Sequence, residues 1–146
     1  MRTAGYGNFN FAMNTTWVHK YDYQNSEGGE WIKNVGVFSG VGPVFRWQNS
    51  AQLNWNLGEF GAGLSARYKT GYVDEDPENR VPSYTTLDTY VSWTQKQGFG
   101  LTLGVRNLAD REPPLSFQQQ TFQAGYDPRY TDAVGRTFYV RGTYNF

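Results

Sequence analysis

The sequence has no cysteine, so it can build neither a disulfide scaffold nor a cysteine nucleophile nor a thiolate zinc site. It has a single histidine, His19, which leaves no room for a multi-histidine metal centre, and no Ser–His–Asp arrangement can be assembled around it. Neither sign of charge is in excess: 13 Lys+Arg face 13 Asp+Glu, where a nucleic-acid binder would carry a clustered basic surplus. No run of 18 apolar residues offers a membrane helix, and Met1-Arg2-Thr3-Ala4-Gly5-Tyr6-Gly7 has no apolar segment behind Arg2 to form a signal peptide. A 3.6-residue apolar stripe is missing throughout. These absences do not touch a membrane β-barrel, whose alternating strands escape a hydropathy window.

Aromatic residues are what the chain has in quantity. Eleven Tyr, 10 Phe and 5 Trp stand among 146 residues, in a chain whose mean hydropathy is only −0.67. That much ring surface speaks against disorder, and 17 glycines speak against a helical bundle.

The rings recur with period two. Phe9, Phe11, Met13, Thr15 and Trp17 alternate with Asn8, Asn10, Ala12, Asn14 and Thr16. The same alternation places Ala51, Leu53, Trp55 and Leu57 on one face, then Phe60, Ala62, Leu64, Ala66 and Tyr68. Leu87, Thr89, Val91 and Trp93 follow, then Phe99, Leu101, Leu103 and Val105, and last Phe138, Val140, Gly142, Tyr144 and Phe146. The fold class is all-β and antiparallel, with six strands. Tight turns are expected near Gly58 and at Gln97-Gly98, and long connections over 24–44, 73–83 and 107–133. Short turns on one side and long loops on the other mark an up-and-down transmembrane barrel.

Charge and ring placement separate lipid from a soluble core. Lys20, Asp22, Arg46, Arg67, Lys69, Asp88, Arg106 and Arg141 all share the parity of the polar face. On a lipid-facing midplane an Arg or Lys costs about 2–4 kcal/mol. Along the apolar faces aromatics stand at the ends (Phe9 and Trp17, Trp47 and Trp55, Phe60 and Tyr68) with smaller residues between them. Two girdles at headgroup depth are ordered this way, whereas a soluble core places its largest rings mid-strand. The polar faces, rich in Asn, Gln, Thr and Arg, read as a watery interior. The competing reading is a soluble, aromatic-rich β-domain that binds carbohydrate by stacking.

Several stretches also resemble a known family. Gly104-Val105-Arg106-Asn107-Leu108-Ala109-Asp110-Arg111-Glu112-Pro113-Pro114 resembles the turn that precedes the last loop of TonB-dependent receptors. Gly125-Tyr126-Asp127-Pro128, then Gly135-Arg136-Thr137-Phe138-Tyr139-Val140 to Phe146, is similar to their C-terminal run. Phe45-Arg46-Trp47, Leu53-Asn54-Trp55 and Tyr68-Lys69-Thr70-Gly71-Tyr72 resemble the strand pair upstream. Ala109 stands where the family usually has an aromatic.

The resemblance implies a barrel of about 22 strands around a plug, in the bacterial outer membrane, that takes up a scarce nutrient: ferric siderophore, haem, cobalamin or oligosaccharide. On that reading residues 1–146 are the C-terminal part of the barrel, a fragment without plug or signal peptide. The implied partners are membrane lipid, the rest of barrel and plug, the TonB energy-coupling complex through the missing N-terminal part, and the barrel-assembly machinery. Phe138, Val140, Tyr144 and Phe146 resemble the signal that this machinery reads. No cofactor, metal, nucleic acid or enzymatic activity is expected.

Candidate ligand contacts are the aromatics of the long connections: Tyr23, Trp31, Phe117, Phe122, Tyr126 and Tyr130. Gly61-Ala62-Gly63-Leu64-Ser65-Ala66 fits G-x-G-x-x-A, but it lies inside an alternating strand with no helix after it, so a dinucleotide site is rejected. Asp74-Glu75-Asp76-Pro77-Glu78 offers carboxylates to a hard cation, yet its spacing fits no EF-hand and it reads as a solvated loop.

Overall fold

The computed structural model describes every residue except Met1, Ala4, Val41, Gln123 and Phe146, and among the described residues there is no helix. Six long strands follow one another: β1 (Gly7–Trp17), β2 (Trp47–Leu57), β3 (Phe60–Lys69), β4 (Tyr84–Thr94), β5 (Phe99–Arg106) and β6 (Thr137–Tyr144). They pair antiparallel in sequence order, and the two-residue strand Arg2–Thr3 adds a seventh member beside the start of β1. This is an up-and-down sheet, as the alternation predicts. The tight turns fall at Gly58-Glu59 and Gln95–Gly98; the three long connections span 18–46, 70–83 and 107–136.

The register puts every apolar face on the same side. Phe11 pairs with Leu53, Leu53 with Leu64, Leu64 with Thr89, Thr89 with Val105 and Val105 with Phe138. A one-residue slip in any ladder would turn a whole strand over. Among the described residues nothing covers this face: Phe11 is 65% exposed, Phe138 73%, and Met13, Leu53, Phe60, Leu64, Val91 and Leu103 are exposed as well. The buried hydrophobic residues, Phe38, Phe45, Tyr72 and Val81, all belong to the long connections. A soluble sandwich would bury its strand faces against a second layer.

The ends of the apolar face are aromatic. Trp17 and Trp47 pair across β1 and β2 with ring centroids 6.2 Å apart, and Trp93 meets Phe99 edge-on at 6.1 Å near a tight turn. At the turn end the indole N–H groups find polar partners: Trp55 donates to the Tyr6 carbonyl at 2.7 Å and Trp93 to the Glu59 carboxylate at 3.1 Å. Thr15 and Asn49, one rung inside the Trp17–Trp47 pair, satisfy each other at 2.7 Å.

The opposite face is polar in every strand. Tyr90 lies across β3 and hydrogen-bonds Asn54 on β2 at 3.0 Å, which is possible only because Gly63 stands beneath it; a Cβ there would run into the ring. Tyr139 lies against Gly104 in the same way, and Arg106 stacks on its ring at 5.6 Å. The second glycine of the G-x-G-x-x-A stretch, Gly63, thus makes room for a tyrosine. Arg67 and Asp88 form a 2.8 Å ion pair on this face.

One expectation needs correction. Lys20, Asp22 and Arg46 lie outside the six long strands: β1 stops at Trp17, β2 starts at Trp47, and Asp22–Tyr23 forms its own short ladder with Ile32–Lys33. Extended backbone in that ladder keeps the alternation running past the true strand end. The last strand ends at Tyr144, and Phe146, the end of the expected assembly signal, lies outside the described residues.

Candidate functional site

At the long-loop end the three connections are knitted into one body. The first connection holds the ladders Asp22–Tyr23 with Ile32–Lys33 and Phe38–Ser39 with Gly42–Pro43; the second holds Tyr72–Val73 with Arg80–Val81. Asn34, buried in the first, donates to the carbonyls of Val37 at 3.1 Å and Gly42 at 2.8 Å and so closes its turn. Val73 N donates to Gly36 O at 2.9 Å and joins the second connection to the first.

The acidic run joins the second connection to the third. Asp74, 2% exposed, accepts from the Ser116 hydroxyl at 2.8 Å, the Phe117 backbone N–H at 2.6 Å and the Asn79 amide at 2.8 Å. Glu75 accepts from the Gln119 N–H at 2.6 Å and the Gln120 amide at 3.1 Å. Asp76 caps the N–H of Glu78 at 3.0 Å. The first two residues of the run form a clasp, while Asp76, Pro77 and Glu78 are exposed, as the sequence suggested. Burial alone would push the Asp74 carboxyl up, but the donors from Phe117, Asn79 and Ser116 hold it below the ordinary carboxylate range.

Beneath the clasp lies the apolar body. Phe45 packs edge-on to Tyr72 at 5.7 Å and to Tyr130 at 5.0 Å. Lys69, the last residue of β3, donates to the Tyr130 carbonyl at 2.9 Å and sits over the Phe45 and Tyr130 rings. Asp127, buried, holds Arg129 at 2.6 Å, and the Arg129 guanidinium stacks near Tyr130 and Phe38. Burial pushes the Tyr72 phenol up to about 12.

The family-like turn after β5 has a plain structural job. Asn107 and Asp110 both adopt left-handed backbone (φ 49° and 52°), which Asn and Asp tolerate better than most residues. The Asn107 side chain accepts from Arg111 N at 2.8 Å and donates to Arg111 O at 2.9 Å, closing the turn, while its backbone N–H donates to Asp88 at 2.8 Å. Asp110 accepts from Arg136 N at 2.8 Å, one residue before β6 begins. The motif therefore starts and ends the third connection.

The six candidate aromatics divide. Trp31 (68% exposed), Phe117 and Phe122 present their rings to the surroundings. Tyr23 is half-buried with its hydroxyl 3.2 Å from that of Ser39, Tyr126 is half-buried, and Tyr130 belongs to the apolar body. No two of the six make a ring–ring contact among the described residues. Sequence reasoning missed the residues that fix Phe117 in place, Asp74 and Ser116, which are 42 positions apart.

The family model described as "TonB dependent receptor-like, beta-barrel" matches residues 3–108 of the 146. The chain belongs to that family. The match takes in β1 to β5 and two of the long connections, and it ends at Leu108, inside the Asn107–Arg111 turn. No curated protein and no solved structure matches the chain. A TonB-dependent receptor barrel is a receptor of transport type rather than an enzyme. The exposed apolar strand face fits a barrel of this family. Within this receptor barrel the long connections form the only buried apolar cluster among the described residues.

Proposed function

We propose that the chain is the C-terminal part of an outer-membrane receptor barrel that takes up a scarce nutrient with energy delivered by the TonB complex. The observation that carries this reading is the uncovered apolar face running across all six long strands. Its dimensions support it. Phe9 and Trp17, Trp47 and Trp55, and Phe60 and Tyr68 are each eight residues apart. Eight residues are about 27 Å of strand, or about 21 Å of membrane at a tilt near 40°. An outer-membrane apolar band is about 25 Å tall between its aromatic girdles. Barrels of this kind place long loops outside the cell and short turns in the periplasm, so the knitted loop body meets the ligand. Trp31, Phe117 and Phe122, the exposed candidates, are the contacts this reading assigns; a siderophore, haem, cobalamin or oligosaccharide all offer surfaces to aromatic rings.

Thiol labelling of the complete receptor on intact cells tests the topology. An impermeant maleimide is expected to modify Glu78→Cys in the second long connection and to miss Lys96→Cys in the Gln95–Gly98 turn. The opposite pattern inverts the assignment, and labelling of both removes it.

The run Phe138, Val140, Tyr144 and Phe146 supports a second element of the proposal, an assembly signal. Phe138, Val140 and Tyr144 share the exposed apolar face of β6. One terminal ring removes only about 1.5–3 kcal/mol of apolar burial, which a closed barrel survives. An unfolded barrel that is not recognised aggregates instead. Deleting Phe146 from the complete receptor is therefore expected to cut the amount inserted while the inserted fraction keeps its heat stability. Equal insertion of mutant and parent ends the signal reading.

A further inference from the structure

We propose that the polar face of the sheet carries a track for anionic solutes, formed by Arg67, Arg106 and Arg141. The inference rests on the receptor reading above and extends it to the chemical class of what passes the wall: small molecules bearing carboxylate, phosphate or sulfonate groups.

The charges are sorted between parts of the chain. The six long strands hold four cations, Arg67, Lys69, Arg106 and Arg141, and one carboxylate, Asp88, all on the polar face. Their balance is +3 in a chain whose formal charge is zero, so the turns, connections and N-terminal residues carry −3. The polar faces of β1 and β2 add only Asn, Gln, Ser, Thr and Ala. No carboxylate on those two strands offsets the cations.

The register sets the cations out as a staircase. Lys69 stands level with Gln48 and Tyr84 at the loop end, and Arg67 one polar rung below it, level with Ser50 and Thr86. Arg106, opposite Thr137, shares a hollow with Arg67 and Asp88. Arg141, opposite Thr102, is two rungs nearer the tight turns than Arg106. From Arg67 to Arg141 the steps descend about 20 Å along the strands. A staircase along the direction of crossing suits passage.

The upper cation is spent on structure, since Lys69 is held by the Tyr130 carbonyl and two rings. Arg67 is half-compensated by Asp88, which also takes the Asn107 N–H. Arg106 and Arg141 make no ion pair among the described residues, and both are exposed. Arg106 is nonetheless fixed: its guanidinium stacks on Tyr139, and Tyr139 rests against Gly104. A stacked guanidinium keeps its N–H edge free, and that planar fork matches carboxylate or phosphate two bonds at a time. Set in a low-dielectric wall, such cations raise the local concentration of anions, and rings of Arg and Lys give pores anion selectivity.

The test uses the complete receptor in detergent and pyranine, a trisulfonated dye, read by fluorescence anisotropy. Heat-modifiable migration on a gel is scored first. Wild-type protein without it shows that the barrel reading itself has failed, and the track falls with it. With the barrel present, the Arg106→Gln/Arg141→Gln variant is expected to bind pyranine about tenfold more weakly at about 10 mM salt. A Lys33→Gln/Lys96→Gln control, altered in a loop and a turn, is expected to bind as wild type, and the difference vanishes at about 1 M salt. If the double variant loses its heat-modifiable band, Arg141→Gln alone replaces it, with an expected loss of about threefold. Equal affinity in variant and wild type overturns the proposal. Equal affinity with a plug newly open to protease also overturns it, and assigns the cations to an acidic polypeptide surface instead.

Discussion

Replacing Leu64 by Arg in the complete receptor is expected to empty the folded fraction from the membrane, while Ser65→Arg, one residue along, inserts nearly as well as wild type. Leu64 lies mid-strand on the exposed apolar face between Leu53 and Thr89, and Ser65 lies on the polar face between Gln52 and Asp88. A guanidinium at the lipid midplane costs about 2–4 kcal/mol, a factor of roughly 30 to 700 in an insertion equilibrium. On the wet face the same group meets water and the Asp88 carboxylate. The measurement is the yield of heat-modifiable protein in washed outer membranes. Equal loss from both substitutions would falsify the lipid-facing assignment, because neither volume nor β-propensity distinguishes the two variants. Equal tolerance would show that the apolar face is covered by protein.

The second large effect is local. Asp74→Ala strips acceptors from three donors at once: the Ser116 hydroxyl, the Phe117 N–H and the Asn79 amide. A buried donor left without a partner costs about 1–3 kcal/mol, so the third connection is expected to open while the strands stay paired. Hydrogen exchange at Phe117 and Gln119 should rise by at least an order of magnitude, and protease should nick within 107–136 but not within β3 or β4. The pH dependence has a fixed sign. Because the folded Asp74 pKa is depressed, its stabilisation is complete above the unfolded carboxylate value of about 4 and is lost as pH falls through the lower folded value. Wild-type protection at Phe117 should therefore persist to about pH 4 and fade below it, and the variant should lack that acid phase. Unchanged exchange in Asp74→Ala would mean that the apolar body around Phe45 and Tyr130 holds the loops without the clasp.

The strands were legible because one apolar and one polar face impose a period of two on every residue between Phe9 and Trp17, or between Phe60 and Tyr68. Six such segments, spaced by alternating short and long connections, leave little choice of topology. The strand ends were less legible. Asp22–Tyr23 stays extended beyond β1, so parity alone carried Lys20 and Asp22 into the strand. The clasp was not legible at all: a hydrogen bond between Asp74 and Ser116 leaves no periodic trace, and five residues from Asp74 to Glu78 look the same whether solvated or buried. The Asn107–Arg111 turn stood out as a motif, but its reason, two left-handed residues that close the turn and place Arg136, is visible only in the folded chain.

The clasp also sets the unit in which such a receptor can be re-engineered. Grafting residues 107–136 from another barrel onto this one would leave the Asp74 and Glu75 carboxylates facing whatever the donor loop supplies, and Lys69 aimed at a carbonyl that has moved. A chimera that respects the chemistry exchanges 18–46, 70–83 and 107–136 together and takes the residue at position 69 with them. On the proposed function, binding specificity is exchanged as a module, and that module is the whole crown of loops, with no single loop interchangeable on its own.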